Sequence, residues 1–334
     1  MSTAPKAPGG KTAGPDLQAI RAAHRRIAPH IHRTPVMTSA SLDAMAGARL
    51  YFKCENLQKT GSFKIRGATN AIFSLREEEA ARGVVTHSSG NHAAAVALAA
   101  RRRGIRAWIV MPSNAPEAKR KAVEAYGGQI TFCEPTLAAR ERTAAEIIRK
   151  TGALLIHPFD DDRIIAGQAT AAVEFLDDVP ELDFILAPVS GGGLLSGTAI
   201  AAKSLRPTIR VVGCEPKNAD DAYRSLAAGR VEPMENADTI ADGLRASLAE
   251  RTFAILRQHV DEIVLETEEE IVAAMRQVWE RMKLVIEPSA AVAVAPLLAP
   301  SRVEGLERKL PVEGKKVGVI LSGGNLDLAR LPFA

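Results

Sequence analysis

The stretch Gln58-Lys59-Thr60-Gly61-Ser62-Phe63-Lys64-Ile65-Arg66-Gly67-Ala68 decides how this chain is read. Thr60-Gly61-Ser62 predicts a turn. Ile65, Ala68, Ile72 and Leu75 then recur at helical spacing, which places Lys64 in the first turn of a packed amphipathic helix. A cation is poorly placed there, because the helix dipole puts partial positive charge at the same end. A lysine held beside apolar neighbours has its ammonium form disfavoured, which suits an amine that forms a Schiff base. Taken alone, the pattern also fits a solvated lysine at a helix end.

Around this stretch the chain alternates strand and helix. Asp16 is a plausible cap for a helix striped by Leu17, Ile20, Ala23 and Ile27, and Thr34-Pro35 ends that pattern. Arg49 to Lys53 reads as the strand that feeds the lysine turn. Strands at 83 to 87, 107 to 111 and 129 to 133 follow, with helices from Asn91, over 117 to 126 and over 137 to 150. A second series of strands starts at 154 to 156 and continues at 184 to 188, 209 to 214 and 316 to 322. Helices are expected between them at 166 to 176, 194 to 204, 268 to 283 and 289 to 298. Alternation with short connections argues for parallel sheets built from βαβ units. Two such series make two α/β domains with a cleft between them. Residues 1 to 15 are Pro, Gly, Ala, Ser, Thr and Lys without apolar periodicity, and read as a loose tail.

Three polar turns follow predicted strands, where open α/β sheets bind ligands. Ser88-Ser89-Gly90-Asn91-His92 offers hydroxyls and an amide to a polar ligand atom, and Ser89 or Asn91 could equally cap the helix behind it. Ser190-Gly191-Gly192-Gly193-Leu194 lets backbone N–H groups converge at a helix start, which suits a phosphate. It is neither GxGxxG nor a Walker loop, so a dinucleotide or a nucleoside triphosphate is not the first choice. A purely structural glycine turn is the alternative. Leu321-Ser322-Gly323-Gly324-Asn325 closes the last strand and presents a neutral hydroxyl, or is simply a tight turn.

Composition narrows the classes. The 334 residues are 46% hydrophobic and 25% charged, as expected of a soluble globular protein with a sizeable core. A net charge of +4 with 4% aromatic residues gives no stacking platform among basic residues, so nucleic acid is not expected as a partner. Cys54, Cys133 and Cys214 stand at wide spacings without a CxxC pair, which fits reduced cytoplasmic thiols better than disulfides or zinc. The absence of an apolar run of membrane-spanning length, or of an apolar signal core, leads us to expect neither membrane insertion nor secretion.

Taken together and in this order, the SFKIRGA, SSGNH, triple-glycine and SGGN motifs resemble the fold type II pyridoxal-phosphate enzymes from about residue 17 to 328. Within them the chain resembles the serine racemases and the serine/threonine and threo-3-hydroxyaspartate dehydratases. The resemblance implies a tryptophan synthase β-like α/β fold, with pyridoxal 5'-phosphate between a large domain (16–73 and 158–334) and a small one (74–157). It implies that Lys64 forms the Schiff base, that Phe63 packs beside the cofactor ring and that Asn91 bonds its phenolic oxygen. Ser190, Gly191, Gly192, Gly193 and Leu194 would hold the phosphate, although close relatives usually carry glycine where Ser190 stands. Ser322 would face the pyridine nitrogen. A hydroxyl is not an anionic partner, so the ring is a weaker electron sink and expulsion of a β-substituent is favoured.

The same resemblance implies substrate contacts from Ser88, Ser89, Gly90, Asn91 and His92, from Arg140 and from Ser247. Ser89 would act on the face opposite Lys64, as racemisation requires an acid and a base on opposite faces. Arg140 could grip a second carboxylate, or be a surface arginine on a helix. In Cys214-Glu215-Pro216-Lys217-Asn218-Ala219-Asp220-Asp221, oxygen ligands without His or Cys suit a hard cation, and solvated loop acids are the alternative. The resemblance implies Glu215, Asp221 and the Ala219 carbonyl as ligands for Mg²⁺, Ca²⁺ or Mn²⁺. Glu287 reads either as a supporting acid or as a helix-start carboxylate. The expected activity is racemisation and dehydration of serine, threonine or 3-hydroxyaspartate by a homodimer. A plain L-threonine/L-serine or threo-3-hydroxyaspartate dehydratase is the alternative.

Overall fold

A computed structural model describes residues 14–88, 90–115, 117–235, 237–298 and 310–333. Ser89 and nearly all of the expected tail lie outside these residues. The ten strands are β1 (Val36–Met37), β2 (Arg49–Cys54), β3 (Val84–His87), β4 (Ala107–Pro112), β5 (Gln129–Cys133), β6 (Leu154–Leu155), β7 (Phe184–Pro188), β8 (Arg210–Pro216), β9 (Glu262–Glu266) and β10 (Lys316–Leu321). They form two sheets, a six-stranded one in the order β1-β2-β10-β7-β8-β9 and a four-stranded one in the order β5-β4-β3-β6. Every pairing is parallel except that of β1 with β2.

Helices cover both faces of the larger sheet, so its central strands are apolar throughout. All five residues of β7 are buried. Along β10, Val317, Val319 and Leu321 enter one core cluster while Ile320 enters the cluster on the other face. The smaller sheet packs its own clusters around Val84, Ile109 and Met111 on one side and Val85 and Val110 on the other.

Several elements depart from the expected string. Leu154 was expected to open the second series, yet β6 pairs with β3 through Val84–Leu154 and Val85–Leu155 and so closes the first sheet. The two-residue β1 and the edge strand β9, flanked by Glu262 and Glu266, carry too little apolar periodicity to be seen in sequence. The helix expected from 166 begins at Asp162, because the Asp161 carboxylate caps it by accepting from the Arg163 amide at 2.7 Å. The helix expected over 289 to 298 is instead two short turns, Pro288–Ala291 and Ala295–Leu298.

The lysine-bearing helix, Lys64–Phe73, lies backbone to backbone against Asp162–Asp178. A Cβ on Gly167 would come within 2.6 Å of the Gly67 Cα, so both positions require glycine. Beside this crossing, fully buried Arg66 forks onto Glu55 (2.7 and 2.8 Å) and Glu174 (2.7 and 2.9 Å), and Lys53 adds a 2.8 Å bond to Glu174. Two cations and two carboxylates balance, which is how charge is tolerated in a core. The cluster joins β2, the lysine-bearing helix and Asp162–Asp178 two residues from Lys64.

Candidate active site

The C-terminal ends of β2 and β10 are neighbours in a parallel sheet, so the turns that follow them meet. Gly324 N–H donates to the Gly61 carbonyl at 2.9 Å and Phe63 N–H to the Ser322 carbonyl at 3.0 Å, while Ser62 bridges to Gly323. The lysine turn is strained. Thr60 sits at φ 63°, a left-handed conformation uncommon for a β-branched residue, and its carbonyl accepts from the Asn325 side chain at 2.7 Å. Strain of this kind gathers where a chain must present a group in one geometry.

The group presented is Lys64. It opens its helix, as expected, and donates to the Pro158 carbonyl at 3.0 Å with its nitrogen 5.1 Å from the Phe63 ring centre. Part of its surface still opens to the cleft, but protein surrounds the amine densely. Burial pulls it down to about 8, against the opposing influence of the Glu287 carboxylate. Burial is the main cause, as the apolar neighbours led us to expect.

Behind Pro158, Phe159 packs on the triple-glycine loop: a Cβ on Gly191 would meet its ring at 2.3 Å and one on Gly193 its Cβ at 2.9 Å. Gly192 takes φ 87° and caps Gly193–Leu205 without any side-chain hydrogen bond. The first-turn N–H groups, Leu194 among them, are thus left for an external anion. Ser190, the departure from four glycines, points its hydroxyl elsewhere. It donates to the Ala246 carbonyl (3.2 Å) and accepts from the Ala246 amide (3.1 Å), so the turn admits a side chain without crowding the loop.

On the third side, after β3, Ser88 accepts from the Gly90 amide at 3.3 Å and Asn91 begins the helix Asn91–Arg103. Asn91 Nδ2 donates to Glu287 Oε1 at 2.9 Å. His92 turns inward, with Nε2 3.0 Å from the Ile156 carbonyl, and burial beside Lys64 lowers it to about 3. Ser322 is a buried residue at the end of β10, and its carbonyl accepts the Phe63 amide.

Arg140 lies on Leu137–Thr151 near His87, whose pKa is lowered first by burial and next by this guanidinium. Its Nε is shut from water with no acceptor among the described residues. Ser247 accepts from the Met234 amide at 2.8 Å. The expected cation ligands lie apart, behind the triple-glycine loop through Leu248. Glu215 accepts from the Ala222 and Tyr223 amides, and Asp221 accepts from the Leu248 amide at 2.8 Å with its other oxygen buried and unpartnered. Burial raises both carboxyls, Asp221 to about 6. Ala219 is buried beside them.

His157, Pro158 and Phe159 were missed in sequence. The signal was a polar run after a strand, obscured because β6 had been placed in the wrong series. Asn325 was read only as the end of a turn.

An amine lowered by burial, a glycine loop whose first-turn N–H groups have no side-chain cap and the neutral serine that ends β10 fit the aldehyde, phosphate and ring nitrogen of pyridoxal phosphate. A family model described as "Pyridoxal-phosphate dependent enzyme" matches residues 27–323. The chain is 50% identical over 316 residues to a serine racemase of Arabidopsis thaliana, covering 95% of each. It is 47% identical over 319 residues to a beta-hydroxyaspartate dehydratase of Paracoccus denitrificans, covering 96% of this chain and 99% of that protein. A solved structure of maize serine racemase superposes with a TM-score of 0.91 at 49% identity, covering 95% of both chains. The chain belongs to the pyridoxal-phosphate-dependent enzyme family.

Proposed function

We propose that this protein racemises serine and also dehydrates hydroxy amino acids. The observation that carries the reading is the placement of the Lys64 amine, desolvated and held by Pro158 where the lysine, Asn91, Ser322 and triple-glycine loops converge. Pyridoxal phosphate, when bound, supplies an electron sink that acidifies the substrate α-hydrogen. The backbone of Ser190 to Leu194 would hold its phosphate, Phe63 would flank its ring, Asn91 would donate to its phenolic oxygen and Ser322 would meet its nitrogen. Lys64, a neutral amine above about pH 8, removes the α-proton. Ser89 returns a proton on the opposite face to give the other enantiomer. When the β-hydroxyl leaves instead, the products are a 2-keto acid and ammonia. Ser88, Gly90, Asn91, His92 and Ser247 supply the remaining substrate contacts, those of His92 and Ser247 through backbone groups.

A second reading is favoured by Arg140. Its guanidinium nitrogen, buried without an acceptor, lies beside His87 and suits a second carboxylate, and a beta-hydroxyaspartate dehydratase is among the relatives. On this reading 3-hydroxyaspartate is eliminated and racemisation is minor. In either case Glu215, Asp221 and Ala219 take a divalent cation, whose charge would favour the ionised form of two carboxyls that burial raises. Among the described residues no three His, Cys, Asp or Glu side chains form a ligand group, so a carbonyl and water must complete the shell. We place the enzyme in the cytoplasm as a homodimer. Three free thiols and the absence, among the described residues, of any helix long and apolar enough to cross a membrane accord with this. We keep the small domain at 74–157 and the large one at 16–73 and 158–334; the four-stranded sheet, built from strands within the former, supports this division.

The test is incubation of the cofactor-loaded protein with L-serine and Mg²⁺ while D-serine and pyruvate are measured together. D-serine with pyruvate supports racemisation, and pyruvate alone moves the reading to a dehydratase. Lys64→Ala abolishes both products and Ser89→Ala removes D-serine alone. Turnover retained by Lys64→Ala sinks the assignment.

A further inference from the structure

Glu287 is 4% exposed and stands at the start of the Pro288–Ala291 turn, far in sequence from every motif that brings the site together. Both of its oxygens face donors. Oε1 accepts from Asn91 Nδ2 at 2.9 Å and Oε2 from the Asn325 amide at 3.1 Å, while its own N–H donates to the Gly323 carbonyl at 3.0 Å. Asn325 spends both hydrogens of its side-chain nitrogen, one on the Thr60 carbonyl at 2.7 Å and one on Asn91 Oδ1 at 2.9 Å. Two glycines make room for the arrangement: a Cβ on Gly323 would meet Glu287 Oε1 at 2.5 Å, and one on Gly61 would meet Asn325 Oδ1 at 2.4 Å.

The two ends of an asparagine amide differ only in what they bond, and an isolated one flips freely. Here the flip is determined. Asn91 Oδ1 is taken by a donor that has no alternative role, and one Nδ2 hydrogen is taken by an acceptor, so the second Nδ2 hydrogen is left without an acceptor among the described residues. A flipped Asn91 would set its NH₂ against that of Asn325 at any pH; burial raises the Glu287 carboxyl to about 8 against the Asn91 and Asn325 donors, so above that pH its ionised oxygens oppose the flip as well.

We infer that Glu287 is a positioning residue which, with Asn325, locks the Asn91 amide so that its remaining N–H is the donor to the phenolic oxygen of pyridoxal phosphate. The inference rests on the proposed role of Asn91. Glutamine cannot replace Glu287 without loss, because it has one acceptor for two N–H donors. Turning its amide toward Asn91 sets NH₂ against NH₂ and loses the Asn91 bond; turning its oxygen there loses the Asn325 amide.

The experiment uses the full chain loaded with pyridoxal phosphate as wild type, Glu287→Gln, Asn325→Ala, Asn91→Ala and the Glu287→Gln/Asn91→Ala double variant. Borohydride reduction followed by peptide mass analysis reads attachment at Lys64, and visible absorption across pH reads the ionisation of the bound chromophore. The expected result is reduction onto Lys64 in all five. In Asn91→Ala the chromophore's titration midpoint moves by about 1 to 2 units, the size of a hydrogen bond to a charged oxygen. Glu287→Gln and Asn325→Ala move it in the same direction, and the double variant moves it no further than Asn91→Ala alone. A midpoint unchanged in Glu287→Gln, or shifts that add in the double variant, overturn the proposal. Should Glu287→Gln fail to fold, an unchanged midpoint in Asn325→Ala overturns it independently. If Asn91→Ala itself leaves the midpoint unmoved, or Lys64 carries no label, it is the underlying reading that fails.

Discussion

The Lys64 amine and the Pro158 carbonyl are joined by a 3.0 Å hydrogen bond that ties the lysine-bearing helix to the loop leaving the four-stranded sheet. A carbonyl can hold the amine whether it is charged or neutral, so it positions Lys64 without fixing its proton. Because burial lowers the pKa to about 8, capture of pyridoxal phosphate by the stripped protein should accelerate about tenfold per pH unit below that value and level off above it. Stopped-flow absorbance over pH 6 to 10 checks this; a rise continuing to pH 10 would show an unperturbed lysine.

The same shift has a consequence for stability. The unfolded chain keeps the Lys64 proton up to about 10.5 while the folded chain releases it near 8. Between those values the unfolded state binds more protons, so the stripped protein gains stability as pH rises. Lys64→Met removes a penalty present at pH 7 and raises stability there by about 2 kcal/mol, discounted for the surface open to the cleft. At pH 10.5 the gain vanishes. Urea unfolding at the two pH values measures the difference.

Gly191→Ala places a methyl group at 2.3 Å from the Phe159 ring. Overpacking of this order costs about 1–3 kcal/mol and pushes Phe159, and Pro158 with it, away from the anion cradle. The variant should lose its cofactor on dialysis, and adding Phe159→Leu should restore part of the retention. Full retention by Gly191→Ala would remove the loop from the site.

Arg66→Met leaves Glu55 and Glu174 buried with fewer partners and should destabilise the chain by about 3–5 kcal/mol, read from the urea midpoint at pH 7. A loss below about 1 kcal/mol would mean that water reaches the cluster.

If Glu215 and Asp221 take a cation, Mg²⁺ at 100 times its dissociation constant should stabilise the protein by about 2.7 kcal/mol. Asp221→Asn should lose most of that gain while becoming more stable in chelator at pH 7, because an ionised carboxylate that burial disfavours is gone. A melting temperature indifferent to Mg²⁺ argues for structural acids only.

Much of this was legible beforehand. Strand–helix alternation is written in local apolar periodicity, which is why β3, β5 and β7 fall where expected. The turns at Thr60, Ser190 and Ser322 were visible because turns need glycine and small polar residues wherever they occur. Leu154 was assigned to the wrong sheet because an apolar strand carries no label for its partner. His92 read as part of a ligand loop, although its ring bonds Ile156, because helix phase alone does not say which neighbour fills the space beneath.

The sequence by itself determined a two-sheet α/β chain with a lysine at a helix start and an anion loop, since these follow from interactions within a few residues. Only the tertiary structure decided that burial tunes Lys64, that Ser190 turns away from the cradle to Ala246, and that Glu287 and Asn325 reach Asn91 across 196 and 234 positions. Those contacts arise where parallel strands end side by side, and a hydrogen bond's direction depends on atoms brought together by folding rather than on distance along the chain.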